Sequence, residues 1–242
     1  MINIVIPMAG RGERFREQGF ETPKPLIEFN GKTMIEYAVE SLDIRGKFIF
    51  IVYKYSEESY NIRIREILNR IVNNPIIIEI DYITDGPASS ALLAKDYINN
   101  DDELIVTNCD QIMKWNVDDF LSYKNNNKFD GIVVTYESNT NKNSFIQLDE
   151  NGLGIKLAEK KVISNISLNG IHYWRKGLFF INSVEKMISK NIRVNNEFYI
   201  SMTYNEMIND KLLVSNYHIN KCEHIAVGTP EDLKYYINNE NK

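Results

Sequence analysis

The 242-residue chain is short of several things, and each shortage closes off a class of protein. Its two cysteines, Cys109 and Cys222, are too few for the disulfide framework of a small secreted fold, and both fit a reducing cytosol. The three histidines, His172, His218 and His224, lack zinc-ligand spacing and read as surface or packing residues. Long apolar runs are missing. Stretches such as Phe48–Tyr53 and Pro75–Ile80 fall far short of the ~20 residues a membrane span needs. No basic segment followed by an apolar one opens the chain, so no signal peptide is expected. Positive charge is not in surplus either: 28 Lys and Arg stand against 33 Asp and Glu, a net charge of −5. That balance argues against a nucleic-acid-binding face, while a few cations gathered in one cleft still suit a small anionic ligand. Internal repeats are absent.

What is present is an alternation of short apolar runs and amphipathic stretches. Ile2–Met8, Phe48–Tyr53, Ile76–Tyr82 and Glu103–Asn108 read as buried strands. Between them Lys32–Leu42, Tyr60–Val72 and Ser89–Ile98 carry apolar residues at helical spacing. Strand and helix in turn at this pitch mean right-handed βαβ units and a mostly parallel sheet. The pattern changes after about residue 128. Gly131–Tyr136, Ser144–Leu148, Gly154–Ala158 and Asn169–Trp174 read as shorter strands of a mixed sheet, with helices at Lys176–Ser189, Phe198–Asn209 and Pro230–Asn239. Thr229 and Pro230 fit the cap and first turn of the last helix. Asn125–Asn127 reads as a turn rather than a linker, and Tyr173, Trp174, Phe179 and Phe180 read as core.

The strongest chemical signal is Ala9-Gly10-Arg11-Gly12-Glu13-Arg14-Phe15, directly after the first strand. Ligands of open α/β sheets bind beyond the carboxyl ends of the strands. Gly10 and Gly12 let the backbone come close to a ligand and turn its amides toward an anion, and Arg11, Arg14 and Arg16 add positive charge. Downstream, Thr22-Pro23-Lys24-Pro25-Leu26 holds one lysine between two prolines, which predicts an extended segment. Neither standard phosphate-binding fingerprint is present. The third glycine of the dinucleotide loop is replaced by Phe15, the next helix is expected about twenty residues on, and no G-K-[ST] follows.

The run M-A-G-R-G-E-R-F, followed by T-P-K-P-L-I and G-K-T-M-I-E-Y, resembles the signature region of the nucleotidyltransferases that make nucleotide sugars, the nucleoside-diphosphate-sugar pyrophosphorylases. The likeness continues through Gly86–Ala91, Asn108-Cys109-Asp110, Ala158-Glu159-Lys160-Lys161 and Val227–Leu233, so it spans nearly the whole chain. It implies a GT-A-like Rossmann fold: a three-layer α/β/α sandwich on a central, mostly parallel but mixed sheet. One domain over residues 1–242 is implied, with a nucleotide-binding half at 1–112, an acceptor-binding half at 113–242, and no room for an appended left-handed β-helix.

The implied reaction is attack by an acceptor phosphate on the α-phosphorus of a nucleoside triphosphate, with release of pyrophosphate. The protein then needs to supply positioning, cations and a divalent metal rather than a nucleophile. By resemblance, Arg14 meets the leaving phosphates, Lys24 bridges the reacting ones and Asp110 holds Mg²⁺. Ala9, Gly10, Arg11, Gly12, Gly86, Ser89 and Asn108 border the nucleotide. Glu159 and Lys160 meet the acceptor, and Glu197 is an acceptor or second metal ligand. Simpler readings stand beside these: helix capping for Ser89 and Ser90, a surface ion pair for Glu159 and Lys160, an exposed turn for Asp110, and an ordinary first-turn acid for Glu197.

The sequence departs from the family at three places. Ala226 stands where many relatives carry an aspartate, Cys109 where they have a small residue, and Arg11 where they have glycine or serine. These departures bear on the acceptor and the second metal ligand. The expected partners are a nucleoside triphosphate, of pyrimidine type (CTP or UTP/dTTP), and a small phosphorylated acceptor, a sugar 1-phosphate in a precursor route to surface polysaccharide. The expectation excludes nucleic acid and membrane and allows a homodimer in the cytoplasm. A cytidylyltransferase acting on a non-sugar phosphate such as phosphocholine is the nearest alternative. A glycosyltransferase of the same fold would carry D-x-D where this chain has N-C-D-Q, and a nucleotide sensor would not need Arg14, Lys24 and Asp110 together.

Overall fold

The computed structural model describes residues 1–240. In chain order its elements are β1 (Ile2–Met8), α1 (Glu13–Glu17), β2 (Glu28–Phe29), β3 (Lys32–Thr33), α2 (Met34–Leu42), β4 (Lys47–Tyr53), α3 (Glu58–Ile71), β5 (Ile76–Ile80), α4 (Pro87–Leu92), α5 (Lys95–Ile98), β6 (Glu103–Val106) and β7 (Gln111–Met113). They continue with α6 (Val117–Asn126), β8 (Gly131–Glu137), β9 (Ser144–Leu148), β10 (Gly154–Glu159), β11 (Ile166–Trp174), α7 (Gly177–Ser189), α8 (Ile200–Asn209), β12 (Val214–His218), β13 (His224–Ala226) and α9 (Pro230–Glu240).

Nine strands make one mixed sheet in the order β10-β9-β11-β6-β1-β4-β5, with β8 paired to β11 and β12 paired to β8. The strands β6, β1, β4 and β5 run parallel, because a helix returns the chain between each pair. Antiparallel β11 joins β6 and carries the second half of the chain onto the same sheet. Side chains alternate across β1: Ile4, Ile6 and Met8 enter a core under α2, α3 and α6, while Val5 enters the opposite core under α4, α5, α7 and α8. Helices therefore cover both faces, as the three-layer expectation requires, and Tyr173, Trp174 and Phe180 are buried in it.

β5 forms one edge of the sheet. Its only charged residue, Glu79, is held in a two-pronged pair by Arg65 of α3, with Nε 2.5 Å from Oε1 and Nη2 2.7 Å from Oε2.

Several local expectations need correction. The Ser89–Ile98 segment is two short helices, α4 and α5, broken at Leu93–Ala94. A helix does follow the glycine loop at once: α1 starts at Glu13, and its Phe15 is buried in a third apolar cluster with Ile27, Met34, Ile112 and Leu233. Lys24–Leu26 is a single 3-10 turn rather than extended chain. Asn125 and Asn126 close α6, a helix whose start is capped by Asn116 and whose weak apolar pattern gives little sequence signal. Other boundaries move less. Thr33 and Glu36 form a capping box that starts α2 at Met34, and the Thr229 hydroxyl accepts the Asp232 amide to cap α9.

Candidate active site

The carboxyl ends of β1 and β6 open onto a cleft of about 690 Å³. Gly10, Arg11, Gly12, Arg14, Lys24, Asn108, Asp110 and Glu197 all line it, although they come from four separate stretches of chain. Two of the contacts need glycine. Gly12 caps α1 at φ +63°, and a Cβ there would stand 3.0 Å from the Lys24 Cβ, so the loop and the lysine turn pack backbone against side chain. Gly170 sits at φ +100° in a bulge of β11, and a Cβ there would fall on the Asn108 amide. That bulge gives Asn108 its place beside Asp110.

Lys24 Nζ donates to Asp110 Oδ2 at the floor of the cleft. Burial alone would push the Asp110 carboxyl up, but the Lys24 ammonium outweighs it and Arg14 adds to the effect, so the carboxyl lies below its usual range. Burial would likewise lower Lys24, and Asp110 outweighs that, so the ammonium lies above its usual value. Both groups are therefore charged at neutral pH. Asp110 is further fixed by its backbone: its carbonyl accepts the Val227 amide at 3.0 Å beside the β7–β13 ladder. Gly228 follows, and a Cβ there would sit 2.5 Å from Asp110 Oδ2. The neighbouring Cys109 is buried, which pushes its thiol up to about 12 and leaves it un-ionised. His224, half-buried nearby, is lowered to about 4 by its partial burial and is neutral.

The other expected residues lie outside this lining. Ala9 is buried in the core above α4. Gly86 is the residue before α4, at φ +111°, and its carbonyl accepts the Ser90 amide and the Thr84 hydroxyl. Ser89 is half-buried on α4. Glu159 is buried at the end of β10, where the Ser144 and Ser201 hydroxyls both donate to its Oε2. Burial nevertheless dominates and raises its pKa. Lys160 follows in left-handed conformation at φ 53° and stands 4.7 Å above the Tyr199 ring. Lys160 donates to the Tyr199 hydroxyl, and that hydroxyl donates to Glu197. A chain of three side chains thus runs from the Glu159–Lys160 corner into the cleft.

Sequence reading passed over Tyr199, Ser144, Ser201 and Gly228. Tyr199 carried a faint signal, two residues beyond Glu197 in an aromatic pair. The serines carried none, since only the β9–β10 pairing and the start of α8 bring them to Glu159. Among the described residues no group of three or more His, Cys, Asp or Glu could hold a metal ion by itself, and no helix is long and apolar enough to cross a membrane.

Comparison with known proteins bears on the fold and the family. The chain is 29% identical over 195 residues to the bifunctional protein GlmU of Methanocaldococcus jannaschii, a match covering 79% of this chain and 44% of that one. The chain thus spans less than half the length of that relative. Among solved structures, a nucleoside-diphosphate-sugar pyrophosphorylase from Vibrio cholerae RC9 superposes with a TM-score of 0.83 at 22% identity, covering 97% of this chain and 99% of that one. The inositol-1-phosphate CTP transferase from T. maritima superposes at 0.76 and 17% identity, with 97% and 93% covered. Both share the fold. The sequence profile of the family described as nucleotidyl transferase matches residues 4–233, and the chain belongs to that family.

Proposed function

We propose that the chain transfers a nucleotidyl group from a nucleoside triphosphate to a small phosphorylated acceptor. An acceptor phosphate oxygen bonds to the α-phosphorus, the bridge between the α- and β-phosphates breaks, and pyrophosphate leaves. The observation that carries this reading is the ion pair of Lys24 and Asp110 under the Gly10–Arg14 loop. It sets one fixed cation and one fixed carboxylate at the place where a triphosphate would meet the loop amides. Lys24 bridges the reacting phosphates and offsets the charge that builds on them, and Arg14 binds the phosphates that leave. Gly10, Gly12 and Asn108 border the triphosphate.

Asp110 is the residue that would hold Mg²⁺. The fit is a matter of donor chemistry: one ionised carboxylate, given room by the absent side chain of Gly228, suits a hard cation that takes the rest of its shell from phosphate and water. Bound there, the ion would neutralise phosphate charge. The acceptor lies toward Glu159, Lys160 and Glu197. Lys160 meets its phosphate, and the Glu159 carboxylate is placed to accept a hydroxyl. We assign the acceptor as a hydroxyl-bearing sugar 1-phosphate and the donor as a pyrimidine nucleotide.

The test is a pyrophosphate-release screen with Mg²⁺, pairing CTP, UTP, dTTP, ATP and GTP with sugar 1-phosphates, inositol 1-phosphate and phosphocholine. Release with a pyrimidine nucleotide and a sugar 1-phosphate is the expected result. Release with phosphocholine alone replaces the acceptor assignment, and no release with any pair overturns the reaction.

A further inference from the structure

Glu197 stands over the cleft on a two-residue hairpin. Val194 and Glu197 exchange both backbone hydrogen bonds at 3.0 Å, and Asn195 and Asn196 between them are left-handed at φ 49° and 64°. Paired left-handed residues make a tight turn that asparagine tolerates well. This turn is tied to the loop before α4 as well as to its own side of the molecule. The Phe198 amide donates to the Asp85 carbonyl at 2.7 Å, and the Ala88 amide donates to the Phe198 carbonyl at 3.0 Å. Gly86 lies so close that a Cβ would stand 2.7 Å from Phe198 N and 2.9 Å from Glu197 Cβ.

Arg193 completes the link. Its Nη2 meets Asp85 Oδ2 at 2.8 Å, its Nη1 donates to the Asn196 carbonyl at 2.8 Å, and its Nε donates to Asn191 Oδ1 at 2.7 Å. The guanidinium also covers the Phe198 ring at 4.0 Å. One side chain therefore fixes the turn's own carbonyl, the ring behind it and the loop opposite.

We propose that Arg193 is a positioning residue that couples the two substrate subsites, holding Glu197 in register with the Asp85–Gly86 loop so that a nucleotide seated against that loop orders the acceptor side. The inference rests on the proposed nucleotidyl transfer for its direction, though the clasp itself is independent of it. Arg193 touches no reacting atom. It acts through Glu197 and through Tyr199, which Glu197 holds by accepting its hydroxyl.

Two measurements on the full chain test the proposal, using Arg193→Met, which keeps an apolar stem over Phe198, and the milder Asp85→Asn, at an exposed position. The first is amide hydrogen exchange of residues 190–200 with and without CTP or UTP and Mg²⁺. In the wild type the nucleotide slows exchange at the turn. In Arg193→Met the nucleotide still binds by calorimetry, yet that slowing is lost. The second is steady-state kinetics with the acceptor that the wild type turns over. The acceptor KM rises about tenfold in Arg193→Met while the nucleotide KM changes less than twofold, and the double variant with Asp85→Asn is no worse than Arg193→Met alone. Asp85→Arg combined with Arg193→Asp recovers part of the loss.

An unchanged acceptor KM with unchanged exchange at the turn overturns the coupling while leaving the reaction in place. A uniform fall of kcat for every substrate with a lowered thermal midpoint overturns it as well, in favour of a merely structural role. If the wild type releases no pyrophosphate with any pair, the reaction fails and the exchange experiment alone decides the clasp.

Discussion

The two halves of the cleft are built in opposite ways. On the side of residues 1–112 the groups lie in the segments that follow β1 and β6, and each is held by something close to it: Gly12 by the Lys24 turn, Lys24 by Asp110, and α1 by the buried ring of Phe15. On the side of residues 113–242 the groups come from β9, β10, the 194–197 turn and the start of α8, and they are held by one another through Ser144, Ser201 and Tyr199. The first side is a rigid cradle of backbone and fixed charge. The second is a relay of side chains, and one displaced member loosens the rest. For the proposed transfer, the cradle would take the triphosphate and the relay the acceptor.

The sharpest way to break the comparison is to remove the cradle's charge. Lys24→Ala or Asp110→Ala is expected to lower turnover by about 100-fold or more, with the circular dichroism spectrum unchanged. Near wild-type pyrophosphate release from either variant would falsify the assignment of the cradle. Gly86→Ala strikes the seam between the halves. The residue is at φ +111° and its neighbour is Phe198 backbone, which cannot yield, so KM for both substrates should rise together, by about tenfold, and the thermal midpoint should drop. Unchanged KM values for both substrates would show that the close approach at Gly86 is not felt in the cleft.

Glu159→Gln probes the relay by itself. The acceptor KM should rise about tenfold with the nucleotide KM unmoved. The same variant carries a smaller prediction in stability. Burial raises the Glu159 pKa in the fold, so its contribution is full below the unfolded carboxylate pKa and is lost as pH rises through the folded value. At neutral pH Glu159→Gln should therefore melt no lower than the wild type, and the rise in stability on acidification through that window should flatten. A clearly lower midpoint at neutral pH would show that the ionised carboxylate supports the fold.

Legibility in the sequence followed the same divide. β1, β4, β6, β9 and α7 announce themselves because their apolar period, or an unbroken apolar run, is set by burial on a sheet covered on both faces. The cradle residues could be read as well, because glycines, arginines and a Pro-Lys-Pro triplet lie in short stretches whose chemistry is local. α1 escaped because five residues hold only one buried side chain, Phe15, and no period can be seen in a single turn. α6 escaped for a related reason: of its residues only Phe120 and Lys124 are buried, the lysine against Glu103 at 2.7 Å. Ser144 and Ser201 could not be found at all, since a serine gains its meaning only from the carboxylate that tertiary folding brings beside it. Glu197 could be reached only through the family resemblance, because the hairpin that aims it depends on two left-handed asparagines, Asn195 and Asn196, in a chain rich in asparagine.

The edge of the sheet has a consequence for the life of the chain before it is folded. β5 and the proline before it read Pro75-Ile76-Ile77-Ile78-Glu79-Ile80, a nearly pure β-prone segment whose outer rim has no strand partner among the described residues. Its one charge, Glu79, is held by Arg65 only once α3 has docked. Before docking, that carboxylate is the one charge within the strand itself, the kind of group that discourages one chain from adding its strand to another's. One residue thus meets two demands of physical chemistry: a charge on an open β edge, and a seat for α3 in the fold.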